Sequence, residues 1–308
     1  ILPMKFKNLF KNKLQKANRS YSFGNYFITL SGNHVLDKYQ KKFPLYDQFL
    51  PDFCSKFSNL IIDIGANIGD TSIAIFAKND TSHIVGVEPD LSFYNECISN
   101  ITKNKLENRF YGVNKFISSE KGAFSIKISE NKSTGYKVEN TNLTDNKEIN
   151  TITFEELITE IPVSKKNSFD LLKIDTDGYD WDILLSFADY AKKSIFLPRF
   201  IFFEMQTFLN NNEKEPKGRD EILKKYEKSI LEIYDLGYTN FCLFDNFGTF
   251  VKKTNSPSEI FELNNYIKRS QIDNHHTTIF FFDVLVYNDT EKTQVDLFLN
   301  EFYLWNYF

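Results

Sequence analysis

The sequence predicts an α/β protein built on a Rossmann-like, nucleotide-binding sheet. Three observations carry that prediction. Leu60 to Ile64 is a short apolar, β-branched run, the signature of a buried parallel strand. Gly65 and Gly69 break the run, and Thr71, Ile73, Ala74 and Phe76 then begin a helical pattern at Asp70. About twenty residues further on, His83 to Val87 forms a second strand that ends in an acid, Glu88. Strand, glycine turn, helix and strand-end acid together open a nucleotide-binding α/β unit, with its ligand over the carboxyl ends of the strands.

The first turn is expected to let a ligand approach the backbone, because a glycine has no Cβ to collide with it. Its spacing is G-x-x-x-G, whereas a pyrophosphate on a helix N-terminus calls for G-x-G-x-x-G. Asp63 and Asp70 put negative charge beside the loop, which suits a cationic or hydroxylated ligand. Glu88 stands where a carboxylate would accept hydrogen bonds from both ribose hydroxyls.

The chain before this unit predicts a cap. Met4 to Arg19 carries several lysines, with Phe6, Leu9, Phe10 and Leu14 at helical spacing. It reads as a basic amphipathic helix that docks on its own domain or a second subunit, or lies on an anionic surface. Tyr21 to Leu30 suggests a strand turned by Ser31-Gly32-Asn33. His34 to about Lys56 looks helical, with interruptions at Pro44 and Pro51.

After the second strand, Phe93 to Ile101 predicts a helix, Arg109 to Asn114 a third strand, and Gly122 to Ile126 one strand of a hairpin-like section. Glu130 to Asn150 is polar and reads as a loop. Thr151 to Phe154 leads into a helix with Glu155 and Glu156 in its first turn, which favours the helix dipole. Asp170 to Ile174 is a further strand, followed by the turn Asp175-Thr176-Asp177-Gly178 and a helix from Asp180. Arg199 to Phe203 predicts a strand ending at Glu204. Asp220 to Leu236 is an amphipathic helix closed by Gly237. Tyr238 to Phe244 and Thr278 to Tyr287 complete the sheet. Asp245 to Thr277 is expected to form a long rim loop, and the aromatic tail Val295 to Phe308 a helix in need of a covering surface.

A length of 308 residues suits one large α/β domain with extensions. The net charge of −4 supplies no basic field for nucleic acid. Cys54, Cys97 and Cys242 are scattered, with neither a disulfide framework nor zinc spacing, so a reducing cytoplasm is expected. Neither a membrane-spanning run nor a signal peptide is expected.

Three blocks occur in order: D-I-G-A-N-I-G-D-T, then G-V-E-P-D, then L-L-K-I-D-T-D-G-Y-D. From about Leu60 to about Tyr287 the chain resembles the FkbM-type S-adenosylmethionine-dependent methyltransferases. The resemblance implies a Rossmann-like class I methyltransferase fold, with a seven-stranded, mostly parallel sheet whose last strand is antiparallel. It implies a domain over 58–290, a cap over 1–57 and a tail over 291–308. It also implies S-adenosylmethionine as cofactor, with S-adenosylhomocysteine as product, and an adenine site near Lys115-Phe116-Ile117.

On this reading Asp63, Gly65, Asn67, Gly69, Asp70 and Glu88 bind the cofactor. Asp175 orients the acceptor beside the methyl group, and His275 or His276 takes its proton, since histidine titrates near neutrality. Asp177, Glu204, Asp245, Asn246 and Arg269 are expected to bind the acceptor, with Lys217, Arg219, Lys268 and Arg269 as candidates for a diphosphate. No metal is expected, because the acids are spread over several strand ends. FkbM relatives methylate hydroxyls of polyketides and sugars. The Asn- and Lys-rich, Arg-poor composition suggests an AT-rich bacterial genome and a sugar acceptor. That acceptor would be a nucleotide-activated sugar or another precursor of a surface polysaccharide. Natural-product or amine methylation, and a non-catalytic cofactor-binding subunit, are the alternatives. A homo-oligomer through the N-terminal helix or the aromatic tail is a further expectation.

Overall fold

The structure is a computed structural model, described here for residues 18–30, 34–57, 59–120, 123–128, 135–138, 149–162, 168–205, 216–272 and 279–307. The cap begins as a hairpin of β1 (Arg19–Phe23) and β2 (Tyr26–Leu30), followed by α1 (Leu36–Lys42) and α2 (Phe49–Cys54). The single strand expected over Tyr21 to Leu30 is therefore two, turned at Gly24, whose φ of 54° is left-handed. The nucleotide-binding unit follows as β3 (Leu60–Ile64), α3 (Asp70–Lys78), β4 (His83–Val87), α4 (Leu91–Lys103) and β5 (Phe110–Val113).

A small four-stranded sheet comes next, from β6 (Phe116–Ile117), β7 (Ala123–Ile128), β8 (Gly135–Val138) and β9 (Ile149–Ile152). The polar stretch read as a loop thus contains β8, paired antiparallel with β7. Thr153 caps α5 (Phe154–Glu160) in a reciprocal capping box with Glu156. The chain returns to the main sheet with β10 (Phe169–Ile174), α6 (Asp180–Ala191), β11 (Phe200–Met205), α7 (Pro216–Asp235) and β12 (Asn240–Asp245). It ends with β13 (Phe250–Thr254), α8 (Pro257–Ile272), β14 (Phe282–Tyr287) and α9 (Lys292–Tyr307).

The main sheet runs β13-β12-β14-β11-β10-β3-β4-β5. From β5 through β11 the pairs are parallel, and β14 inserts antiparallel between β11 and β12. Seven of these strands match the expected sheet. The eighth, β13, pairs with β12 as a hairpin, so the segment expected to be a long rim loop is mostly strand and helix. Its own sequence explains this. Asp245 turns the chain by accepting backbone N–H bonds from Phe247 and Thr249, and Pro257 suits the first position of α8.

Each face of the sheet is covered. Leu60, Ile62, Leu172 and Ile174 pack with α5 to α8 on one side. Ile61, Leu171 and Phe200 pack with α2, α3, α4 and α9 on the other. The aromatic tail finds its surface within the chain: Phe298 and Phe302 of α9 meet Phe49 of α2 edge-on. Most of the basic N-terminal helix lies outside the described residues. No helix among the described residues is long and apolar enough to cross a membrane.

Candidate active site

The glycine turn after β3 is fixed by its neighbours in the chain. Gly65 has φ 82°, and a Cβ there would sit 1.8 Å from the carbonyl oxygen of Asp175. A Cβ on Gly65 would thus collide with the β10 turn, while the residue itself lines both the cleft and the cavity beyond it. Gly69 caps α3 with φ 83°, and its missing Cβ makes room for the Cys97 thiol, 2.9 Å away. It positions the loop without lining a cavity. Between them Asn67 also adopts a left-handed φ, of 47°, and does face the cleft.

Glu88, at the end of β4, holds this loop from the side. Its two carboxylate oxygens accept the backbone N–H of Asn67 (2.9 Å) and of Asp90 (2.8 Å). Burial pushes its carboxyl up to about 8, against the pull of those two donors. Each oxygen keeps a lone pair for a further donor. Glu88 opens on a cleft walled by Pro89, Phe93, Phe116, Ile117 and Tyr179, with Asp175 and Asp177 at its other end.

Asp63 does not reach that cleft, which corrects the sequence expectation. It is fully buried under the loop, accepts the Ser72 hydroxyl at 2.7 Å and pairs with the Lys173 ammonium at 2.9 Å. Lys173 was not anticipated. It is 3% exposed, lies in the central strand β10, and also approaches Asp175 at 3.4 Å. Burial opposes its charge, but Asp63 and Asp175 hold it above the usual lysine range. Asp180 is also structural: it accepts the Thr176 N–H and hydroxyl and the Glu204 N–H, tying the ends of β10 and β11 together.

Beyond the cleft opens a cavity of about 690 Å³. Asp175, Asp177, Glu204 and Asn246, expected at the acceptor, line it, and so does Asp70, which was assigned to the cofactor. Asp47, Asp283 and His34 join them and were not anticipated in these roles. Asp283 lies opposite Glu204 across the β11–β14 pair. The acids raise one another: burial first, then Asp175 and its neighbours, push Asp177, Glu204 and Asp283 well above the ordinary carboxylate range. Burial likewise raises Asp70, while His34 and Lys173 pull it down. Aromatic side chains from the cap (Tyr39, Phe43, Tyr46) and from the sheet edge (Phe247, Phe280, Phe281) form the walls, and Lys38 and Lys42 of α1 stand on one side.

Two expected acceptor residues are elsewhere. The Asp245 carboxylate is consumed by its own turn, and Arg269 is exposed on α8, away from the cavity. His275 and His276 lie outside the described residues, as do the side chains of Lys217, Arg219 and Lys268. Among the described residues no group of His, Cys, Asp and Glu is arranged to hold a metal ion.

Residues 63–238 match the family described as the methyltransferase FkbM domain. The chain belongs to the FkbM methyltransferases. It is an S-adenosylmethionine-dependent methyltransferase. The cleft suits that cofactor: a strand-end acid for the ribose hydroxyls, apolar walls for an adenine, and carboxylates toward the positive sulfonium. Bound there, the cofactor supplies an electrophilic methyl group.

Solved structures give looser likenesses. The precorrin-6y C5,15-methyltransferase of Geobacter metallireducens is 10% identical, covering 78% of this chain and 86% of its own, at a TM-score of 0.36. The O-methyltransferase of Bacillus cereus, with S-adenosylhomocysteine, is 12% identical, covering 82% and 89%, at 0.40. The plantazolicin methyltransferase BpumL, also with S-adenosylhomocysteine, is 12% identical over the same shares, at 0.39. No curated protein matches this FkbM chain in sequence.

Proposed function

We propose that the protein transfers the methyl group to a hydroxyl of a sugar, carried as a nucleotide-activated precursor of a bacterial surface polysaccharide in the cytoplasm. The observation that carries this reading is the cavity beyond the cleft, where carboxylates meet aromatic walls. Carboxylates accept hydrogen bonds from sugar hydroxyls. Aromatic faces cover the apolar C–H faces of a sugar ring. Asp175, within reach of both cleft and cavity, would orient the acceptor toward the methyl group. A diphosphate would be repelled by the acid floor, so its place is beside Lys38 and Lys42 at the α1 wall. Three free, buried cysteines agree with a reducing compartment.

Tritiated S-adenosylmethionine offered with nucleoside diphosphate sugars and with the corresponding free sugars tests the reading. Label should enter a hydroxyl ether, with a lower KM for the nucleotide-linked forms that rises in a Lys38→Ala, Lys42→Ala variant. Label in neither set would end this reading. The surplus of carboxylates over Lys173 and His34 among the residues lining the cavity favours one alternative, an amine acceptor bound as its ammonium ion, and methyl found on nitrogen would select it.

A further inference from the structure

We propose that Asp47, on the turn between α1 and α2, is the general base that takes the proton from the acceptor hydroxyl. The inference rests on the reading of the acceptor as a hydroxyl. Asp47 lies outside residues 63–238, so the family match assigns it nothing.

The geometry singles it out. Asp47 holds a left-handed φ of 56°, a conformation that costs a non-glycine residue energy and persists where the surroundings impose it. The surroundings do so here. A Cβ on Gly248 would lie 2.3 Å from the Leu45 carbonyl oxygen, so the β12–β13 turn presses directly on this segment. The Phe43 and Phe247 rings, 4.3 Å apart, close the same contact. The strained turn presents the Asp47 carboxylate to the cavity, where it has no hydrogen-bond or ion-pair partner among the described residues. Of the other carboxylates, Asp175 pairs with Lys173, Asp180 is fully bonded and Asp70 sits in the first turn of α3, which leaves Asp283, across the cavity, as the competitor.

The groups facing Asp47 are Asp70 from α3, Lys173 and Asp175 from β10, Asp283 from β14 and the adjacent Tyr46. The Asp47 side chain is open to solvent in the cavity, and the desolvation it meets among the surrounding walls, then Asp70 and Asp175, raise its carboxyl to about 8, with Lys173 opposing. A base titrating there is basic enough to assist an alcohol and still partly ionised near neutrality. In the step, the acceptor oxygen bonds to the methyl carbon as the methyl–sulfur bond breaks. The electron pair of that bond stays on sulfur, and the hydroxyl proton passes to the Asp47 carboxylate.

The test is D47N, which keeps a residue at ease in the left-handed region, beside D283N. Both are assayed with tritiated S-adenosylmethionine on a panel of nucleoside diphosphate sugars and amino sugars. D47N should lower kcat by about 10²–10⁴-fold and abolish the limb of the pH profile near 8, with S-adenosylhomocysteine affinity kept. It should also raise the melting temperature more at high pH than at low pH, because it removes a charge from an acid cluster; this readout needs no acceptor. Wild-type kcat and pH profile in D47N, or loss of the limb in D283N alone, overturns the assignment to Asp47. Wild-type protein that methylates nitrogen, or nothing in the panel, overturns the hydroxyl reading and the base together.

Discussion

The cofactor cleft and the acceptor cavity share an edge of one sheet, yet they are built in opposite ways. In the cleft, charge is neutralised as soon as it is buried: Glu88 accepts two backbone N–H groups, and Asp90 accepts those of Ser92 and Phe93. In the cavity, Asp47, Asp70, Asp175, Asp177, Glu204 and Asp283 face one another around Lys173, with His34 beside Asp70. Glu204 is buried and the others are half-buried or exposed, so the cost here lies chiefly in the repulsion among neighbouring carboxylates. The cleft is therefore a finished binding surface, whereas the cavity is a polar site that stays under electrostatic strain until something donates hydrogen bonds to it.

Lys173 joins the two regions, and removing it should have the largest effect on stability. Lys173→Met leaves Asp63 buried without its partner and Asp175 without its neighbour. Breaking a buried pair on one side costs about 3–5 kcal/mol. Denaturant unfolding should show a loss of that order. A loss under about 1 kcal/mol would mean that Asp63 finds compensation elsewhere and that the seam is not where the contrast is held.

Acids raised on both sides of this boundary predict how stability depends on pH. Asp47 and Glu88, each up to about 8, and Asp180, up to about 7, keep protons in the folded chain that the unfolded chain releases near pH 4. Between pH 4 and 8 the folded state binds more protons, so stability falls as pH rises through this window. Without ligand, the melting temperature should be a few degrees higher at about pH 5.5 than at about pH 8.5. A rise with pH instead would mean that these acids are ionised and satisfied in the folded chain.

The smallest expected effect lies outside both regions. Arg269, exposed on α8, should tolerate alanine within about 0.5 kcal/mol and leave acceptor KM unchanged. A several-fold rise in KM would bring α8 back to the rim and enlarge the cavity at its expense.

The contrast also explains what the sequence could reveal. The floor of the cleft is local: β3, the Gly65–Gly69 turn, β4 and Glu88 fall within one short stretch, where apolar runs and glycines mark each part. The cavity draws on α1, the turn before α2, α3, β10, β11 and β14, and nothing in the spacing of Asp47, Asp70, Glu204 and Asp283 shows that they meet. One signal was available. Lys173 is a lone cation in the otherwise buried core strand Phe169–Ile174, next to an equally buried Asp170, and an ammonium there needs a carboxylate beside it. The rim-loop expectation for Asp245 to Thr277 missed two local cues: the alternating run Phe250–Thr254 after Gly248, and Pro257 before an amphipathic stretch. Asp245 was misassigned because a turn-forming aspartate and a ligand-binding one look alike in sequence.

The division between a finished cleft and a strained cavity is tested most directly by titrating S-adenosylhomocysteine into Glu88→Ala and Asp47→Asn side by side, by calorimetry. Glu88→Ala removes charge-assisted hydrogen bonds worth about 2–3 kcal/mol and should weaken binding roughly 30- to 150-fold, while Asp47→Asn should stay within about twofold of the wild type. Unchanged affinity in Glu88→Ala, or an equal loss in both variants, would contradict the account.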